Sequence, residues 1–132
     1  MFQPVVRGVK AVPIWNGKIL LVRLNYAHRS WSFPGGGVGR HESYEDAAER
    51  ELFEETRLTG GSPPCFVDEY KSDANGVLGN VRVFTVLVQN PHFDIDPVEI
   101  AEAGWFEPAD VPDEREIRVR RIVSMLKNKK LI

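Results

Sequence analysis

Glu51, Glu54 and Glu55 stand at i, i+3 and i+4 inside a stretch, residues 44–56, that contains neither glycine nor proline. On a helix this spacing brings three carboxylates onto one face and within reach of one another. Each like-charged pair so placed destabilises a helix by roughly 0.2–0.5 kcal/mol, so the cluster is unfavourable until something positive offsets it. Arg50 can offset part of the charge, and a hard divalent cation offsets more. Mg2+ prefers oxygen ligands, keeps several waters and sits between a few carboxylates and substrate phosphates. Ala47 and Ala48 lie one turn earlier on nearly the same side, small enough to let a backbone loop or a phosphate approach the acids. Taken alone, Arg-Glu-Leu-Phe-Glu-Glu is equally the composition of a solvated helix face. Its surroundings have to decide.

A helix that aims these acids needs a start and a fixed neighbour. Ser43, with Asp46 three residues on, is a capping-box-like start, and the sequence predicts a helix over residues 44–56. Before it, Pro34 and Gly35, Gly36 and Gly37 read as a loop, glycine allowing a metal or phosphate to come close to the main chain. Gly36 is followed by Glu42, then by Arg50-Glu51-Leu52, then by Glu54-Glu55 and the aliphatic Leu58. This pattern resembles the signature of the Nudix hydrolases, Gly-x5-Glu-x7-Arg-Glu-U-x-Glu-Glu-x-Gly-U, with U bulky and aliphatic. One fixed position departs, Arg57 standing where the signature has glycine. The lead-in of Trp31 to Gly37 is similar as well.

The resemblance implies an α/β (α+β) fold, an α/β/α sandwich with a mixed β-sheet. It implies Mg2+-dependent hydrolysis of a phosphoanhydride in a nucleoside diphosphate linked to another group, such as a nucleoside triphosphate, a nucleotide sugar or ADP-ribose, with Mn2+ as an alternative cation. A carbonyl of the glycine loop, at Gly36, joins the metal's ligands together with Glu51, Glu54 and Glu55. Glu54 or Glu51 serves as the base, and Arg50 acts with Glu42 to orient the acids. An acid ahead of Trp105-Phe106 completes the set, Glu102 or Glu99. Arg7, Tyr26 and His28 are candidates to contact a base or sugar, although His28 also reads as an ordinary exposed loop residue. Two rival readings remain: a pyrophosphohydrolase of RNA 5′ ends, and a module that senses a nucleotide without cleaving it.

Arg57 needs its own account. Glycine at that place ends a helix in the left-handed conformation, and another residue there costs about 1–2 kcal/mol. With Gly60 and Gly61 close behind, either the helix stop moves down the chain or Arg57 is strained.

The 132 residues suit one domain, residues 1–132, with 42% hydrophobic and 27% charged residues as in ordinary globular proteins. A net charge of -2 gives no electrostatic case for broad nucleic-acid binding. The single Cys65 forms no internal disulfide and reads as a small packing residue. No apolar run approaches the roughly 18–20 residues of a membrane span, and no leader-like start appears, so a cytoplasmic location is expected. The expected partner is a small nucleotide-type substrate; a homodimer is compatible with the sequence but not specified by it.

The rest of the chain reads as strands and two helices. Residues 5–14 and 19–22 flank the turn Asn16-Gly17 as a hairpin. Residues 24–30 form a loop, 65–70 a strand, 72–80 a loop, and 81–88 an apolar strand expected at the centre of the sheet. A loop over 91–97 precedes a strand over 99–106. Val119, Ile122, Val123 and Leu126 then form an i, i+3, i+4, i+7 stripe on a second helix. Arg115, Arg118, Arg120, Arg121, Lys127, Lys129 and Lys130 cover its remainder as a solvated basic face.

Overall fold

The computed structural model describes residues 6–25, 30–72 and 79–132. Strands β1 (Val6–Trp15) and β2 (Lys18–Leu24) form the expected hairpin. Asn16 and Gly17 both take positive φ, 48° and 77°, the left-handed pair that matches strand twist in a two-residue turn. The two strands stay paired only at Ile14 with Ile19 and at Trp15 with Lys18. Beyond that they diverge, and residues 31–37 fill the fork. β3 (Trp31–Ser32) pairs with β2, and β4 (Gly35–Gly37) pairs antiparallel with β1.

The glycine run is therefore a strand and not the expected loop. Register explains the three glycines. A Cβ on Gly35 would lie 2.2 Å from the Val9 carbonyl oxygen, so β4 can pack here only without side chains.

β6 (Gly79–Leu87) lies parallel to β1 on the opposite edge from β4, with β5 (Cys65–Ser72) antiparallel to it outside. β7 (Ile100–Phe106) pairs with β2. The order is β3-β2-β1-β6-β5, and β6 has the interior place predicted for it. Strand alternation then sorts the core onto two faces. Val9, Ala11, Leu20, Val22, Phe84 and Val86 pack with Ala47, Ala48 and Leu52 of α1 (Tyr44–Thr56). Val12, Ile14, Ile19, Leu21 and Val83 pack with Val119, Ile122, Val123 and Leu126 of α2 (Ile117–Asn128). The result is the mixed sheet between helices that the sequence predicts.

Two smaller expectations change. Ala47 and Ala48 are fully buried against the sheet, so their size serves close helix–sheet approach and not access by a phosphate. Cys65 is exposed near the start of the outer strand β5 rather than packed in the core.

α1 begins where its cap predicts, the Ser43 hydroxyl accepting a hydrogen bond from the Asp46 N–H at 3.0 Å. Its end is set by Arg57, which takes φ 64° and ψ 9° while its N–H reaches the Phe53 carbonyl at 2.9 Å. The stop does not move down to Gly60. Of the two outcomes the sequence allowed, the strained residue is the one found. Next, the loop after β6 docks on this helix end: the Asp94 N–H reaches the Thr56 carbonyl at 2.9 Å and the Asp96 N–H the Glu55 carbonyl at 3.2 Å. Carbonyls left over at a helix C-terminus are satisfied in this way.

The Arg57→Gly variant is expected to keep or raise the free energy of unfolding, by up to about 1 kcal/mol. Relief of left-handed strain, about 1–2 kcal/mol, is offset by the lost stack of the guanidinium on Phe53, about 0.5–1 kcal/mol at an exposed site, and by the looser unfolded chain. Urea denaturation measures it, and a loss of 1 kcal/mol would mean that the stack outweighs the strain.

Candidate functional site

Among the described residues Glu55 is the most enclosed acid, 5% exposed, because it sits on the face of α1 that meets β4. Its Oε2 accepts the Gly35 N–H at 3.0 Å. Glu51, one turn earlier, has its carboxylate directly over Gly36, where a Cβ would come within 2.5 Å of it. Glu54 stands beside them and is open to solvent. Together with Gly35, Gly36, Arg57, Asp96 and Glu99, the three glutamates line one cavity of about 350 Å³. A larger cavity, about 500 Å³, lies on another flank of α1, and none of Glu51, Glu54 and Glu55 lines it. The three glutamates come together at the smaller one.

Arg50 holds this arrangement. Its Nε and Nη2 donate to the two oxygens of Glu42 at 2.7 and 2.9 Å, a bidentate clamp, and Nη2 also donates to the Gly37 carbonyl at 2.9 Å. From its other side Nη1 reaches Glu51 at 2.9 Å and Glu54 at 3.3 Å. One guanidinium thus ties β4, the turn before α1 and two of the acids together. The hydrogen bonds from Arg50 and from the Gly39 N–H hold the Glu42 carboxyl down at about 2.

Burial pushes Glu55 the other way, up to about 8, with the Glu51 carboxylate adding to the rise; Lys10 and the Gly35 N–H only partly oppose it. Glu51 is raised too, chiefly by burial, against the pull of Arg50. Lys10, under the glycine strand with its Nζ 3.3 Å from the Phe33 carbonyl, is lowered by burial against the attraction of Glu55. The site thus holds buried acid that ionises reluctantly until a positive partner arrives.

An all-oxygen donor set of this kind suits a hard cation such as Mg2+. Among the described residues no three His, Cys, Asp or Glu side chains are yet drawn together closely enough to hold an ion. The cause is visible: Glu51 and Glu54 turn toward Arg50, and Glu55 toward the Gly35 N–H. Cation capture requires those hydrogen bonds to loosen.

The register of β4 also decides which main-chain oxygen faces the acids. The Ala11 N–H bonds to the Pro34 carbonyl at 2.8 Å and the Val38 N–H to the Arg7 carbonyl at 3.0 Å, and in an antiparallel pair such groups alternate along the strand. Gly36 therefore turns its polar groups toward β1, while those of Gly35 and Gly37 turn out toward α1, as the bonds to Glu55 and Arg50 require. Gly35, and not the expected Gly36, presents its carbonyl on that side.

Other expectations divide. Glu99 lines the cavity, whereas Glu102 pairs across the sheet with Arg23 at 2.7 Å and does not. Arg7 is committed elsewhere: its guanidinium donates to the Gly39 carbonyl at 2.6 Å and to the Glu42 carbonyl at 3.3 Å, pinning the turn before α1. Tyr26 and His28 lie outside the described residues. Asp96, Lys10 and Arg57 are brought to the acids by the fold, and the sequence reading had not placed them there. Arg57 alone was signalled, as the departure from the signature.

Comparison with known proteins bears on the family and the fold. The chain is 31% identical over 101 residues to the m7GpppN-mRNA hydrolase dcap-2 of Caenorhabditis elegans, an alignment covering 74% of this chain and 13% of that protein. It is 32% identical over 108 residues to the isopentenyl-diphosphate Delta-isomerase of Kocuria rhizophila, covering 73% of this chain and 58% of the other. The chain thus spans less than two thirds of either relative. Among solved structures, a MutT NUDIX hydrolase from Burkholderia pseudomallei superposes with a TM-score of 0.84 at 23% identity, over 94% of this chain and 99% of that one, a likeness of fold. The NUDIX domain model matches residues 4–126, a span that takes in the fork, the acid-bearing helix and most of α2, and the chain accordingly belongs to the NUDIX domain family.

Proposed function

We propose that this chain is a pyrophosphohydrolase that uses Mg2+, or Mn2+ in its place, to cleave a phosphoanhydride in a nucleoside diphosphate linked to another group. The observation that carries the reading is the convergence of Glu51, Glu54 and Glu55 on one cavity that Gly35 also lines, its main-chain N–H facing Glu55. Glu51, Glu55 and the Gly35 carbonyl would hold the cation, with Glu99 at the rim. A bound divalent cation supplies neutralisation of the phosphate oxygens and a more acidic water. The residues do the remainder. Glu54, half exposed and lightly held by Arg50, takes the proton of the attacking water, because an acid must reach solvent and substrate at once. Arg50, anchored on Glu42, holds Glu51 until a cation takes it and stays beside Glu54. Buried Glu55, reluctant to ionise alone, gains most from a cation and so couples ion uptake to proton release.

Titration calorimetry with Mg2+ or Mn2+, alone and beside a non-cleavable nucleotide, is expected to show uptake accompanied by proton release in buffers of different ionisation heat. No heat with either cation would defeat the reading. Product analysis on a panel of nucleoside triphosphates, ADP-ribose, nucleotide sugars and dinucleoside polyphosphates then identifies the substrate group.

A second reading, hydrolysis at an RNA 5′ end, is favoured by one observation: relatives at 46% identity over 43 residues, a third of this chain and about a fifth of theirs, include an RNA pyrophosphohydrolase of Pasteurella multocida. Steeply salt-dependent affinity for 5′-triphosphorylated RNA would support it.

A further inference from the structure

Five carboxylates line the acid cavity, Glu51, Glu54, Glu55, Asp96 and Glu99, against one cationic side chain, Arg57. Cations held by the acids can neutralise a diphosphate; a further phosphate would meet a negative wall everywhere except at Arg57. Arg57 is also available. Among the described residues its guanidinium makes no ion pair, and its contact is with the Phe53 ring, 5.0 Å from the centroid. Glu54, three residues away and the natural partner on a helix, is taken by Arg50. The contact with the ring occupies none of the guanidinium's N–H donors, a fork that can bind a phosphate bidentately. Its backbone is strained at φ 64° in the position that ends α1, and this fixes the start of the side chain on the cavity rim.

We infer that Arg57, stacked on Phe53 at the rim of the acid cavity, binds a phosphate beyond the diphosphate held by the acids, and so selects substrates carrying a chain of three or more phosphates over those ending in a sugar. The inference rests on the reading of the site given above and adds a substrate preference to it. Arg57 is a substrate-binding residue here, without a part in the bond cleavage itself.

The test is titration calorimetry in Mg2+ with two probes that lack a scissile P–O–P bond, the α,β:β,γ-bismethylene analogue of ATP and the α,β-methylene analogue of ADP-ribose, on the parent chain, Arg57→Gln and Arg57→Lys. Gln is as strained at this position as Arg, so the backbone is held constant, and thermal melts confirm equal folding. Arg57→Gln is expected to weaken the triphosphate analogue at least tenfold and the ADP-ribose analogue less than twofold, with Arg57→Lys between parent and Gln for the triphosphate analogue. Equal losses for both probes, no loss for either, or a parent chain that does not bind the triphosphate analogue would each overturn the inference. Hydrolysis by the parent chain separates this failure from that of the broader reading: a protein that cleaves ADP-ribose while ignoring the Arg57 substitutions keeps its pyrophosphohydrolase chemistry and loses only the phosphate preference.

Discussion

Glu55→Gln is expected to lower turnover by at least two orders of magnitude and, without metal, to melt no lower than the parent chain. The two halves have one cause. Glu55 is buried, its carboxyl is pushed up to about 8, and its Oε2 bonds to the Gly35 N–H at 3.0 Å, a bond that a glutamine oxygen can keep. In the unfolded chain the same carboxyl titrates near its usual value, about 4.3. Between these values the folded metal-free state retains a proton that the unfolded state has released, so stability falls as pH rises. The contribution is fully present below about 4.5 and gone above about 8. Thermal melts in chelator at pH 5, 6, 7 and 8 should therefore show the parent losing stability relative to Glu55→Gln across this window, with Mg2+ reversing the loss at the upper end. A difference that stays flat with pH would mean that Glu55 is ionised throughout. Glu54→Gln should match the fall in turnover.

Gly35→Ala and Gly36→Ala are expected to fail in different ways. At Gly35 an added methyl meets the Val9 carbonyl oxygen at 2.2 Å and the Lys10 Cα at 3.2 Å, backbone that cannot move without opening the β1–β4 ladder. A loss of about 3 kcal/mol in unfolding free energy follows, at the upper end for overpacking. At Gly36 the methyl meets the far end of Glu51, 2.5 Å away, and a side chain can swing aside. The fold then survives with a change of about 1 kcal/mol or less, while Mg2+ affinity and turnover fall tenfold or more because one acid has been displaced. Urea denaturation and calorimetry on the two variants distinguish these outcomes; equal destabilisation would mean that Glu51 is as immobile as the backbone.

What was legible in the sequence is what helical spacing governs. Residues three and four apart on a helix share a face wherever that helix is placed, so the three glutamates, the Ser43 cap and the apolar stripe of α2 follow from local geometry. Register between strands is another matter. Nothing near Gly35 in the sequence announces that β1 and β2 part after two residue pairs and admit a glycine strand between them, and this is why the run reads as a loop. The choice between Glu99 and Glu102 is of the same kind. Glu102 falls opposite Arg23 in the β2–β7 ladder, while Glu99 precedes the strand where the chain crosses toward α1. Arg7 looked like a ligand for substrate because its partners are carbonyl oxygens, which carry no signature of their own.

The parallel ladder joining Val6 through Ile14 to Gly79 through Leu87 sets the order in which this protein can take shape during synthesis. β1, the scaffold for the glycine strand, gains a partner on its other edge only after some seventy further residues have left the ribosome, so the hairpin and α1 must wait as loosely held pieces. A nascent chain arrested shortly before β6 should be cut readily by protease within α1. One arrested well beyond β7 should resist.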